Sequence, residues 1–337
     1  MKAKRLLALV GSLVIVAAVC VGVSLAGTTK LAKHSQSHGL IKINMGTEPW
    51  IGYGPWWIAQ KEGYFQKHGL NVNIVNFQTD GDRDSALIAG RTDVSNEPTN
   101  GIIRFDSQGK ANLKALIFED ASLGADAVLA KKGINTAQQL IGKKVAYEEG
   151  TTSDLLIHYL LQKSHIAFSK IHVVNAPAAD AGTLLIAGKV DVAVTYQPYI
   201  TNATSGPGGA KGVHVLYSSK QAPGLISDYL SATASWASKN QAVIKDLVAA
   251  WNDSMNYFKT HRTQAVAIMA KGVGATPASL ATTLAGVKLY SIAENQSLYK
   301  SGALKKQYNG IGATMTSQGV IKSLTPFGSV VDFSAQK

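Results

Sequence analysis

The sequence predicts an α/β protein of two similar lobes joined by two crossover segments, with the C-terminal helices returning to the first lobe. Three observations carry this expectation. The phrase "LIAGRTDV" (Leu87–Val94) is restated as "LIAGKVDV" (Leu185–Val192), 98 positions later from Gly90 to Gly188. Each copy follows a strand–helix–strand pattern of the size of a βαβ unit. The length of 337 residues makes two domains the default.

The elements follow in order. "MKAKR" is a basic start, and "LLALVGSLVIVAAVCVGVSLA" (Leu6–Ala26) is a charge-free apolar run. Ser24 and Ala26 suit a signal-peptide cleavage site, and the run is also long enough for a membrane anchor. Residues 1–26 are therefore expected to be a signal peptide or an N-terminal anchor, and either way the remainder is exported. Cys20 lies inside this run, and Val19 before it fits lipidation poorly. Residues 27–39, "GTTKLAKHSQSHG", read as a tether. "IKINMG" alternates as a strand does. "EPWIGYG" is a loop, Pro55 can open a helix, and "PWWIAQKEGYFQKHG" follows with Gly69 as its cap. "LNVNIVNF" is the next strand. The second unit runs "KKVAYEE", then a helix from "GTTSD" through "LLIHYLLQKSH", then "IHVVNAP".

In both units the repeated phrase reads as a helix ending on a glycine, followed by a strand. "LKALIFEDASLGADAVLAKK" leads from the first lobe to the second, and "GVHVLYSSKQAPGLISDYLSATASW" leads back. "NQAVIKDLVAAWNDSMNYFKTH" and later segments have helical spacing. The expected division is residues 40–123 with 226–337 in the first lobe and 124–225 in the second.

Composition narrows the function. Hydrophobic residues are 46% and charged residues 16%, enough for a sizeable core. The net charge of +12 falls to +9 without Lys2, Lys4 and Arg5. The lysines are scattered, with no basic run interleaved with aromatics, so no nucleic-acid partner is expected. Beyond Cys20 the chain has no cysteine, which excludes thiol catalysis and disulfides there. There is no G-x-S-x-G elbow, P-loop, H-E-x-x-H or G-x-G-x-x-G after a strand. No enzyme activity, cofactor or metal is expected. His158, inside an apolar helix, reads as a packing residue.

In open parallel sheets, ligands bind beyond the carboxyl ends of the strands. The loops there are "EPWIGYG", "QTDGD", "NEPTNG", "FEDASLGAD", "EEGTTSD" and "TYQPY". They supply Trp50, Tyr53, Glu97, Thr99, Glu119, Asp120, Thr151, Thr152, Ser153, Tyr196 and Gln197 as candidate ligand-binding residues. "GTTSD" matches a capping box and offers backbone N–H groups and hydroxyls to an anion. A helix N-terminus favours an anion by roughly 0.3–1 kcal/mol. The acidic residues would receive a cationic group, and Trp50 or Tyr53 could face one. Trp56 and Trp57 lie on a helix and read as core.

Taken together, "PWWIAQKEGYFQKHGLNVNIV", "ALIAGRTDV", "GADAVLAKKGI", "LIGKKVAYEEGTTSDLLIHYLL", "AADAGTLLIAGKVDVAVTYQPY" and "GLISDYL" resemble the substrate-binding proteins of ABC importers, of the nitrate/sulfonate/taurine type. The resemblance covers Ile41–Leu230 well and the helical tail more loosely. It implies a two-lobe, type II periplasmic-binding fold that closes on a small anionic or zwitterionic organic solute. It also implies a monomer, periplasmic or at the cell surface, that serves ABC permease and ATPase subunits. It adds Asp228, within "GLISDYL", to the ligand-binding candidates. In relatives the last loop motif often reads Tyr-Glu-Pro, where this chain has Tyr196-Gln197-Pro198, so ligand identity does not transfer directly. The alternatives are a binding protein for a thiamin pyrimidine precursor, or a related pyrimidine synthase. The resemblance to the synthases would imply a cysteine-rich iron motif, which this sequence lacks.

Overall fold

A computed structural model describes residues 39–205 and 208–337. The leader, Cys20 and the tether through residue 38 lie outside the described residues. Among the described residues no helix is long and apolar enough to cross a membrane. Their strands, in chain order, are β1 (Ile41–Thr47), β2 (Leu70–Asn76), β3 (Val94–Pro98), β4 (Leu113–Ser122), β5 (Asp126–Ala130), β6 (Lys144–Tyr147), β7 (His172–Asn175), β8 (Val192–Tyr196), β9 (His214–Ser218), β10 (Ser227–Thr233) and β11 (Val287–Leu289). They form two sheets. One has the order β11-β4-β10-β3-β1-β2, and the other β7-β6-β8-β5-β9.

The repeated phrase marks the same corner in both sheets. In the first, the helix Asp80–Ile88 ends and Gly90 turns at φ 67° before β3. In the second, the helix Ala178–Ile186 ends and Gly188 turns at φ 68° before β8. A left-handed φ costs glycine nothing and a branched residue a good deal. The strand after each corner joins a parallel pair. β1 pairs with β2 and β3, and β6 pairs with β7 and β8. The right-handed strand–helix–strand connection places each new strand beside the first.

The helix expected over "PWWIAQKEGYFQKHG" is two helices, Gly54–Lys61 and Tyr64–Lys67. Gly63, at φ 74°, breaks them apart, and Gly69 at φ 77° makes the final turn. The break lets Phe65 stack on Trp56, ring centroids 5.9 Å apart, while Trp251 from the helix Gln241–Thr260 packs at 4.9 Å on the other side. All three side chains are fully buried. Trp56 is therefore core, and the C-terminal helices cover the first sheet. One of them, Ala303–Ser317, also reaches the second sheet's helices, through Ser317 and Gln162 (2.9 Å). His158 stacks on Phe168 at 3.9 Å and pairs with Asp154 at 3.2 Å, the packing role expected of it.

The chain passes between the sheets twice, from β4 to β5 and from β9 to β10. Ser219 ties the two passages together. Its hydroxyl lies 2.7 Å from Ser122 Oγ and accepts from the Gly124 amide at 2.7 Å. These short, cross-linked segments are where a hinge between the sheets would sit.

Candidate functional site

Side chains from both lobes meet in a cleft at the carboxyl ends of the parallel strands. Glu48, Trp50 and Tyr53 follow β1, Asp80 and Arg83 open the helix after β2, and Pro98 ends β3. Asp126 starts β5, Thr152 starts the helix after β6, and Tyr196 ends β8. Ile226 comes from the second passage and Asp228 from the start of β10. The cavity they enclose measures about 20 Å³, room for about one water molecule. Contacts across it hold the lobes together. The Tyr196 hydroxyl donates to Glu48 Oε2 at 3.2 Å, and its ring meets Trp50 edge-on at 5.7 Å. The Asp80 amide donates to Glu148 Oε1 at 3.1 Å.

Arg83 is the electrostatic centre of the first lobe's wall. It is buried, and four of its five N–H groups donate to carboxylates. Nη1 donates to Glu48 (2.9 Å) and forms an ion pair with Asp80 (2.6 Å), Nη2 donates to Asp84 (2.9 Å) and Glu97 (3.0 Å), and Nε to Glu97 (3.2 Å). Burial opposes its charge, but the four carboxylates hold it protonated. The carboxyls are pushed the other way. Burial, and then the neighbouring acid Asp80 for Glu48, raises Glu48 well above the usual carboxylate range despite Arg83. Burial likewise raises Glu97.

A second acidic group lies on β4 and β10. Asp120 and Asp228 face each other across the antiparallel pair. Burial and repulsion by Asp120 raise Asp228, while Asp120 is raised by burial and by Glu119. Trp50 Nε1 donates to both Asp120 oxygens at 3.1 Å, and the Tyr53 hydroxyl donates to Asp228 Oδ1 at 3.1 Å. Gly52 makes this arrangement possible. A Cβ there would stand 2.0 Å from Asp120 Oδ2 and 2.3 Å from Trp50 Nε1.

Asp126, on the second lobe, is different. It is buried, and its Oδ2 has no hydrogen-bond partner. Burial pushes its carboxyl up to about 7, with nearby Ser122 and Thr152 hydroxyls only partly offsetting the effect. Glu148 is raised to about 7 as well, by burial and by Asp80.

The candidates read from the sequence divide into those that line the cleft and those that do not. Trp50, Tyr53, Thr152, Tyr196 and Asp228 line it together. Glu97 stands behind it on Arg83. Glu119 accepts from Trp56 and Asn96 in the core. Thr99 donates to the Ser227 carbonyl at 2.8 Å, bracing β10. Thr151 caps its helix, accepting from the Ser153 amide and donating to the Glu148 carbonyl, and Ser153 is buried beside it. Gln197 caps the next helix through Thr201. Glu48, Asp80, Arg83 and Asp126 line the cleft and were not singled out, although all but Arg83 fall in the loops expected to bind. The signal for Arg83 is the run "DGDRD", which sets acids three residues before and one residue after it. Among the described residues, no three His, Cys, Asp or Glu side chains are arranged to hold a metal ion.

Two lobes of mixed sheet and helix, two passages and a cleft between them define the fold of the periplasmic binding proteins. The chain belongs to the NMT1/THI5-like family, whose model matches residues 50–265. It is 24% identical over 281 residues to a chain of Brucella abortus (strain 2308) named as a binding protein, covering 79% of this chain and 82% of that one. Its fold matches the alkanesulfonate-binding protein SsuA from Xanthomonas axonopodis pv. citri bound to MOPS, with a TM-score of 0.72 and 17% identity over 88% of this chain and 99% of that one. It also matches the desulfurization enzyme DSZB, with a TM-score of 0.63 and 9% identity over 88% of this chain and 97% of that one.

Proposed function

We propose that the protein is the exported solute-binding component of an ABC importer. It captures a small zwitterionic or sulfonate-class solute between its lobes and presents it to the permease and ATPase subunits. The observation that carries this reading is the cleft itself, lined from both lobes and located where the chain twice crosses between sheets. A solute held there favours the closed form through contacts that only the closed form offers. The relatives' names and the sulfonate-binding neighbour support the same class. Catalysis is the competing reading, since DSZB shares the fold. Of the cleft's acids, Glu48 is engaged with Arg83 and Asp228 with Tyr53, which favours binding.

A thermal-shift screen tests this. The panel is taurine, alkanesulfonates, nitrate, thiamin-precursor pyrimidines and small amines. A ligand at 100 times its Kd should add about 2.7 kcal/mol of stability. A panel with no stabilising member, or a member that is consumed chemically, would count against the binding-protein reading.

A further inference from the structure

The charge in the cleft says more about the solute than the fold does. Four carboxyl groups line it, from Glu48, Asp80, Asp126 and Asp228, against one guanidinium. That guanidinium is already surrounded by acids: four of its N–H groups donate to carboxylates, and Asp80 lies 2.6 Å from Nη1. A sulfonate or nitrate placed there would meet carboxylate oxygens, with the Thr152 helix start as the main source of donors. Thr151, the other hydroxyl expected to greet an anion, is spent on capping.

The independent observation is Asp126. Its side chain is 3% exposed, faces the cleft and leaves Oδ2 without a hydrogen-bond partner. Buried acceptors are nearly always satisfied, and an unsatisfied one costs stability unless something fills it. The missing partner is a donor, and the surroundings favour one that carries positive charge. Asp228 approaches from the other lobe. Trp50, Tyr53 and Tyr196 supply aromatic walls that suit an organic cation.

We propose that the cleft selects its solute through a cationic nitrogen, seated between Asp126 of the second lobe and Asp228 of the first. This rests on the binding-protein reading and specifies its substrate class: the solute bears an ammonium or amidinium group, whatever else it carries. Because the two carboxylates belong to different lobes, the cation is also what draws the lobes together. Neutral or purely anionic sulfonates lack that link.

The test is calorimetric titration at pH 8 with compounds that differ at the nitrogen. Taurine is compared with isethionate, which keeps the sulfonate and replaces the ammonium with a hydroxyl. Ethanolamine, choline and agmatine are compared with methanesulfonate and nitrate. Every compound that binds should carry a cationic nitrogen, and its nitrogen-free counterpart should bind at least about tenfold more weakly. Asp126→Asn should weaken that binding at least about tenfold. Asp228→Asn should do the same from the other lobe. Circular dichroism establishes that each variant is folded. Isethionate, methanesulfonate or nitrate binding as tightly as taurine would overturn the cation site while leaving the binding-protein reading in place. So would unchanged affinity in both variants. Failure of every compound to bind the native protein would overturn both.

Discussion

Replacing Arg83 with methionine is expected to cost about 3–5 kcal/mol of folding stability. The guanidinium is buried and bridges Glu48, Asp80, Asp84 and Glu97, of which Glu97 is itself fully buried. A methionine would fill much of the volume, so the loss is electrostatic rather than a cavity effect. Four carboxyls would remain with little to neutralise them, apart from Arg104 on Asp84 at 3.2 Å. Their remaining recourse is to take up protons, so the loss should be larger at pH 8 than at pH 5. Urea unfolding at the two pH values measures it. A loss under about 1 kcal/mol at pH 8 would place Arg83 among the surface ion pairs, which contribute little.

The second large effect is the pH dependence of the ligand-free protein. Asp126 has a folded-state value of about 7 against an ordinary value near 3.9. Between these values the folded state holds a proton that the unfolded state has lost. Stability therefore falls as pH rises through this window, the reverse of the usual salt-bridged aspartate. A shift of this size corresponds to roughly 4 kcal/mol for this one group. The groups around Asp126 act in the same direction or not at all. Glu148 is raised to about 7, Glu48, Asp120 and Asp228 are raised as well, and the charge of Asp80 raises Asp126 itself, while Ser122 and Thr152 do not titrate in this range. At the acid end, Asp253 beside Lys67 and His68, and Glu294 in its capping box, are lowered and lose their contribution only below the ordinary carboxylate range. The melting temperature should be highest near pH 5 and fall by pH 8. Asp126→Asn should flatten that fall and stabilise the protein at pH 8 even as it weakens binding, the usual exchange of stability for function. A melting temperature that climbs from pH 5 to pH 8 would contradict this account.

Much of the architecture was legible because it follows from local rules. The two Gly-ended corners at Gly90 and Gly188, the βαβ periodicity and Pro55 at a helix start all depend on short stretches of chain. Part of the site was legible for the same reason. Trp50, Tyr53, Thr152, Tyr196 and Asp228 sit in loops at strand ends or at a passage, and the cleft collects them. The rest depended on partners distant in sequence. Arg83 lies one turn into a helix, where an arginine ordinarily points to solvent. Its burial depends on Glu48 and Glu97, 35 residues before it and 14 after. Glu97 and Glu119 looked free for a ligand, but Arg83 and Trp56 claim them. Asp126 fell in a loop that was picked out, yet nothing local distinguishes it from Asp120 a few residues earlier. Only the packed structure shows that one is hydrogen-bonded to Trp50 and the other is not.

The central claim is that the two lobes close over a solute, and its most direct test is small-angle X-ray scattering of the protein with and without the tightest compound from the titration series. A cavity of about 20 Å³ cannot admit a solute of taurine's size while the Tyr196–Glu48 and Asp80–Glu148 contacts hold. On this account the free protein opens, rocking about the passages joined at Ser219. The account predicts a smaller radius of gyration at saturating ligand than without it, with Asp126→Asn needing at least about tenfold more of the same ligand to compact. A profile unchanged by saturating ligand in the native protein would contradict it.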